Sequence, residues 1–130
     1  MPRPVDRLIL VPIRQPVTLY RCTSAQHRHD EPAISLSLTS HYELQRPPRK
    51  IEKAFAVLHM AISTWTSFDA AAAMCASYGD RIGHHVAVLD VRPQEGVTID
   101  EPPDPGNEHR SMWGSPALLN GFLVDVRPSW

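Results

Sequence analysis

Cysteine is nearly absent from this chain of 130 residues, which carries only Cys22 and Cys75. The two are far apart and match neither a CxxC pair nor a zinc-ligand spacing, so a disulfide scaffold and a zinc ribbon are excluded. Two reduced, buried thiols in an intracellular protein are expected instead. Long apolar runs are lacking too. LILVPI (8–13) is broken by Pro12 and flanked by arginines, and is too short for a signal peptide or a membrane span. The formal net charge is only −1, which leaves no global field to hold nucleic acid or an anionic membrane. Arg3, Arg7 and Arg14, with Arg46, Arg49, Lys50 and Lys53, are the basic groupings, and they read as ordinary solvated surface. No internal repeat is visible. These absences predict a cytoplasmic protein with no membrane partner and no strong nucleic-acid signal.

Proline is what the sequence has in excess, 13 residues without regular spacing. That pattern argues against a polyproline ligand and for short elements joined by stiff loops. The chain reads as one domain over 1–130, opened by a Pro/Arg-rich segment at 1–16. With 42% apolar residues, a domain of this size buries roughly two-thirds of its unfolded surface and needs no staples.

Periodicity divides the domain into short elements. VTLYRC (17–22) alternates as a strand after Pro16. In AISLSLTSHYEL (33–44), Ile34, Leu36 and Leu38 alternate with Ser35, Ser37 and Thr39, which predicts a second strand. RPPRK (46–50) is a turn. IEKAFAVLHM (51–60) spaces Ile51, Phe55 and Leu58 as a short helix, giving way near His59 to a strand. FDAAAAMCASY (68–78) is made of strong helix formers, with Ser67 as N-cap and Gly79 as the left-handed residue that ends it. HHVAVLDV (84–91), VTID (97–100), EHRSMW (108–113) and GFLVDV (121–126) read as strands. SPALLN (115–120) opens a helix with Ser at N-cap and Pro at N1. The class is α+β: a curved, mostly antiparallel, split β-sheet with two or three short helices.

Two places carry candidate chemistry. Arg21, at the end of the first strand, presents a planar fork suited to a phosphate or carboxylate, although a lone strand-end arginine is more often solvated surface. Tyr20 beside it faces the core. Then Ser63, Thr64, Thr66 and Ser67 put four hydroxyls within five positions at a strand-to-helix junction. Capping explains Ser67 and leaves the other three to satisfy backbone groups. A helix entry rich in hydroxyls also suits an anionic or nucleotide ligand, with Trp65 as a nearby aromatic surface.

An Arg on an early strand (LYR), a hydroxyl-rich strand feeding a helix (STWTSF) and a Glu on a late strand together resemble the Arg–Ser–Glu group of ADP-ribosyltransferases. The resemblance spans about residues 17–127, and its motifs are short. It implies a split, curved sheet and NAD as substrate. It assigns Arg21 to the NAD phosphates, and Ser63, Thr64, Thr66 and Ser67, with Trp65, to the site wall and the ribose. It gives Glu108, with Glu101 as fallback, to the ribose hydroxyl beside the bond that breaks. Many such transferases carry Glu-x-Glu or Gln-x-Glu on that strand; here Glu108-His109-Arg110 stands instead. The chemistry passes through an oxocarbenium-like state that one carboxylate can stabilise without a metal. An aromatic from Trp65, Trp113, Tyr42 or Tyr78 would stack on nicotinamide.

The histidines divide in the same way. His27-Arg28-His29-Asp30 has a metal-like HxH spacing but lacks the further Asp-His pair, and reads as a polar loop. His84 and His85 are adjacent and point to opposite strand faces. His85, or His109 near the candidate site, could serve as an acid–base group. No metal is expected. Two functions therefore stand from the sequence. One is an NAD-using transferase or glycohydrolase, an intracellular bacterial toxin or modifier with a macromolecular acceptor and an antitoxin or other protein partner. The other is a non-enzymatic protein-binding module of the same fold class. The first requires Arg21, the 63–67 hydroxyls and a late Glu to meet in one cleft. The second predicts an apolar patch at Trp113 or Trp130 and no concave pocket.

Overall fold

The computed structural model describes residues 9–48, 56–104 and 106–130. The start of the Pro/Arg-rich segment, Arg49 to Lys53 and the first half of the 51–60 helix lie outside these residues. Seven strands form one open antiparallel sheet: β1 (Leu10–Pro12), β2 (Val17–Thr23), β3 (Ile62–Trp65), β4 (His85–Val91), β5 (Thr98–Asp100), β6 (His109–Trp113) and β7 (Leu123–Pro128). Among the described residues there are four helices, α1 (Glu31–Ser37), α2 (Ala56–His59), α3 (Phe68–Ile82) and α4 (Pro116–Asn120). The strand order is β1-β5-β6-β3-β2-β4-β7, which makes the domain α+β.

Burial on both faces explains β4. Val86, Ala87, Val88, Leu89 and Val91 are all buried, so a near-continuous apolar run makes an inner strand. One side packs into the larger core, where Leu19, Leu89, Val91, Ile62 and Met112 meet Ile34 and Leu38 around α1 and Leu119 of α4. The other side meets α3 through Cys22, Val86, Ala71 and Cys75, with Tyr20, Trp65 and Phe68 against them. Ala71, Cys75 and Gly79 recur every fourth residue and are the buried face of α3; their small side chains let that helix lie close to the sheet.

The helix caps follow local chemistry. Ser67 accepts from the Ala70 N–H at 3.1 Å and starts α3. Ser115, followed by Pro116, starts α4 and accepts from the Leu118 N–H at 3.3 Å. Gly79, expected to end α3, lies inside it instead. The helix bends at Tyr78 (φ −133°, ψ 18°), continues to Ile82 and ends at Gly83 with φ 102°. A Cβ at Gly83 would stand 2.0 Å from the Thr23 carbonyl oxygen, so both the positive φ and the contact demand glycine there.

The expected strand at 33–44 is a helix followed by turns. Pro32 fits the first turn of α1, and Ile34 and Leu38 bury one helical face while Leu36 is 47% exposed. Ser37 Oγ donates to the Ala33 carbonyl at 2.8 Å and Thr39 Oγ1 to the Ser35 carbonyl at 2.6 Å. Two of the three hydroxyls that looked like one strand face are thus bonded back onto the preceding turn. The missing strand is supplied by β1, in the LILVPI run. It pairs Leu10 with Asp100 and Pro12 with Thr98 at the sheet edge, where proline is tolerated.

The sheet parts at its middle. β2 and β4 pair over seven residues, from Val17↔Val91 to Thr23↔His85. β3 and β6 pair from Ile62↔Met112 to Trp65↔His109. Between β2 and β3 a single pair, Tyr20↔Trp65, joins the two halves.

Candidate functional site

Arg21 spans that parting. It follows Tyr20 on β2 and so turns to the α1 face of the sheet, with Leu19 and Thr23. Its Nε donates to the Ser37 carbonyl at 2.5 Å and its Nη1 to the Ser63 carbonyl at 2.7 Å. The guanidinium thus bonds α1 and β3 from β2 and presents its charge to the space between them.

That space is a cleft of about 680 Å³. Leu36 and Ser37 of α1 line it from one face of the sheet, and Met74, Tyr78, Arg81 and Ile82 of α3 from the other. The 74–78–81–82 spacing is that of one helix face. Three arginines (Arg21, Arg46 and Arg81), two histidines (His41 and His109) and the hydroxyls of Ser24, Ser37, Thr39, Ser40 and Ser63 border it. Among the described residues no Asp or Glu lines it. In a chain of net charge −1, three arginines without a carboxylate make the cleft locally positive. Trp65 and Tyr78 add two aromatic surfaces.

Ser63 and His109 meet in this cleft. They sit diagonally on neighbouring strands, His109 pairing with Trp65 two residues along from Ser63, and His109 Nε2 lies 2.9 Å from Ser63 Oγ. The Trp65 ring meets the His109 ring edge-on, with centroids 5.5 Å apart. Behind them, half-buried Asp100 accepts the Ser111 N–H at 2.7 Å. Burial pushes the Asp100 carboxyl above its ordinary value, against the opposing pull of that hydrogen bond and of the His109 and Arg110 charges.

Of the residues singled out from sequence for the site, Arg21, Ser63, Trp65, Tyr78 and His109 line the cleft. The remaining site candidates do not. Thr64 is fully buried and donates to the Arg110 carbonyl at 2.8 Å. Ser67 is occupied as the cap of α3. Thr66 and Glu108 are neighbours across β3 and β6: the Thr66 N–H donates to the Glu108 carbonyl at 2.9 Å, and its hydroxyl lies 3.5 Å from the Glu108 carboxylate. That carboxylate is exposed and outside the cleft lining. Glu101 is exposed as well, its N–H on the Ile9 carbonyl. Arg110 folds its guanidinium onto the carbonyls of Asn107 and His109. Of the aromatics, Tyr78 lines the cleft. Trp113 instead donates to the Val57 carbonyl at 2.8 Å, and Tyr42 packs edge-on against His59.

Sequence reasoning missed Arg46, Arg81 and His41. Arg81 was findable from its helical spacing to Met74 and Tyr78; Arg46 and His41 come from the irregular 41–48 segment and carry no such signal. His27 and His29 stand with ring centroids 6.4 Å apart. Among the described residues no three His, Cys, Asp or Glu side chains are placed to hold a metal ion, and no helix is long and apolar enough to cross a membrane. No family model, no curated protein and no solved structure matches the chain.

Proposed function

We propose that the cleft binds NAD and that the protein is an ADP-ribosyltransferase-like enzyme. The observation that carries the reading is the lining: three arginines, two histidines and five aliphatic hydroxyls without a carboxylate, beside Trp65 and Tyr78. A dinucleotide needs this set, because its diphosphate asks for cationic forks and its bases for flat apolar faces. Topology supports it further. The Arg, Ser/Thr and Glu segments are far apart in sequence, yet they lie on the adjacent strands β2, β3 and β6. The sheet also parts between the first two, as the family resemblance implies. In this reading Arg21 and Arg81 take the phosphates, Ser63 and His109 the ribose hydroxyls, and Trp65 or Tyr78 a base.

Breaking the nicotinamide bond asks for a carboxylate at the ribose; the resemblance gives that part to Glu108, whose carboxylate lies beside Thr66 and outside the cleft lining, so NAD binding and NAD cleavage are tested separately. The test is nicotinamide release from NAD by the purified protein. Glu108→Gln should lower the rate by about 10²- to 10³-fold; full activity in this variant would remove Glu108 from the reaction. A protein-binding module has one feature in its favour, the 83% exposed Trp130, which stands edge-on to His85. If NAD neither binds nor is cleaved, that second reading takes precedence.

A further inference from the structure

Outside the chemistry proposed for the cleft, the smaller core holds an unused pair of nucleophiles. Cys22 on β2 and Cys75 on α3 are both free and both buried, at 5% and 1% exposure. Their sulfur atoms are 3.2 Å apart, although 53 residues separate them in sequence. Cys22 is also among the residues that line the cleft, so the buried pair adjoins the cleft wall. Closing the remaining gap to a disulfide moves the sulfurs by only about 1 Å.

We infer that Cys22 and Cys75 are a redox site, oxidised by a small peroxide to a disulfide that fastens α3 to β2 along one wall of the cleft. The Cys22 thiolate attacks one oxygen of the peroxide and hydroxide leaves, giving the sulfenic acid. The Cys75 sulfur then attacks the Cys22 sulfur, the S–S bond forms, and the sulfenic oxygen departs as water. Overall two thiols and one hydrogen peroxide give one disulfide and two waters. Burial, foremost, and the neighbouring Cys75 push the Cys22 thiol up to about 12. Little of the thiol is ionised near neutral pH, so oxidation by peroxide is slow there and quickens as the pH is raised. Helix α3 brings Met74, Tyr78, Arg81 and Ile82 to the cleft, so the bond would fix the position of that whole wall. The inference is independent of which ligand the cleft takes.

The experiment exposes the reduced, folded wild-type protein to hydrogen peroxide and then to a thiol-alkylating reagent. The expected product is a monomer lighter by about 2 Da that takes up no alkyl group and yields a Cys22–Cys75 cross-linked peptide. Amide hydrogen exchange over 68–82 should slow, and the thermal midpoint should rise by about 10 °C. Cys75→Ser should show neither the mass loss nor the slowed exchange. Two alkylatable thiols after a treatment that oxidises the urea-unfolded chain would overturn the inference. So would disulfide-linked dimers, or sulfinic acid at Cys22 without the cross-link.

Discussion

Replacing Arg21 by alanine would remove the guanidinium that bonds two elements across the parting of the sheet. Only the Tyr20↔Trp65 pair joins β2 to β3 in register. The side chain of Arg21 adds bonds to the Ser63 carbonyl on β3 and the Ser37 carbonyl at the end of α1. A hydrogen bond from a charged donor contributes about 1.5–3 kcal/mol. Because the cleft admits water to the released carbonyls, the low end applies to each, giving a loss of about 3 kcal/mol. For a domain of this length that lowers the thermal midpoint by about 11 °C. Urea unfolding followed by tryptophan fluorescence reads the loss directly, since Trp65 lies at the parting. Arg21→Lys keeps the charge but not the fork and should fall between the two. A loss below about 0.5 kcal/mol for Arg21→Ala, the range of an ordinary surface substitution, would refute the bridging role.

Three further substitutions test other parts of the structure. Asp100→Asn keeps an acceptor for the Ser111 N–H and removes a carboxyl that burial holds above its ordinary value. It should leave stability unchanged or raise it, whereas Asp100→Ala should lose about 1–3 kcal/mol by orphaning that N–H. The sign with pH follows from the raised value. The Asp100 contribution to stability is full below the ordinary 3.8 and is lost as pH rises through the folded-state value, so urea unfolding of the Asn variant should lack that slope. Gly83→Ala places a Cβ against the Thr23 carbonyl at a positive φ, and a thermal midpoint within 2 °C of wild type, about 0.5 kcal/mol, would contradict that packing. Ser67→Ala should cost about 1 kcal/mol through loss of the α3 cap, with Ser67→Gly losing less, measured by chemical denaturation.

The parts of the fold legible in the sequence are those decided by neighbouring residues. The β2 and β4 runs, the Ser67 cap of α3 and the Ser115-Pro116 opening of α4 need only local propensity and burial. What was misread turned on tertiary context. Ile34, Leu36 and Leu38 fit a strand period as well as a seven-residue helix, and the helix prevails because Ile34 and Leu38 reach the same core while the Ser37 and Thr39 hydroxyls bond to the preceding turn. Gly79 satisfies the composition of a helix end, but its missing side chain serves close packing, and Gly83 takes the terminal role. The site was legible in the same partial way. Arg21, Ser63 and Trp65 were found through their motif and His109 as a histidine near it, and all four lie on the adjacent strands β2, β3 and β6. Arg46 and Arg81 join the cleft from an irregular segment and a helix end, which linear spacing does not connect to β2. Alternation places Ser63 and Trp65 on one face of β3 and Thr64 on the other, so the four hydroxyls could not all enter one cleft.

Thermal unfolding of the purified protein with and without millimolar NAD tests the acid-free cleft most directly. A ligand at about 100 times its dissociation constant stabilises the fold by about 2.7 kcal/mol, a rise of about 10 °C here. The cleft as read predicts that rise, and predicts that Arg81→Ala, on an exposed helix end, reduces it without lowering the midpoint of the free protein. An unchanged midpoint in NAD, or a rise that survives loss of Arg81 in full, would contradict a nucleotide held between the arginines.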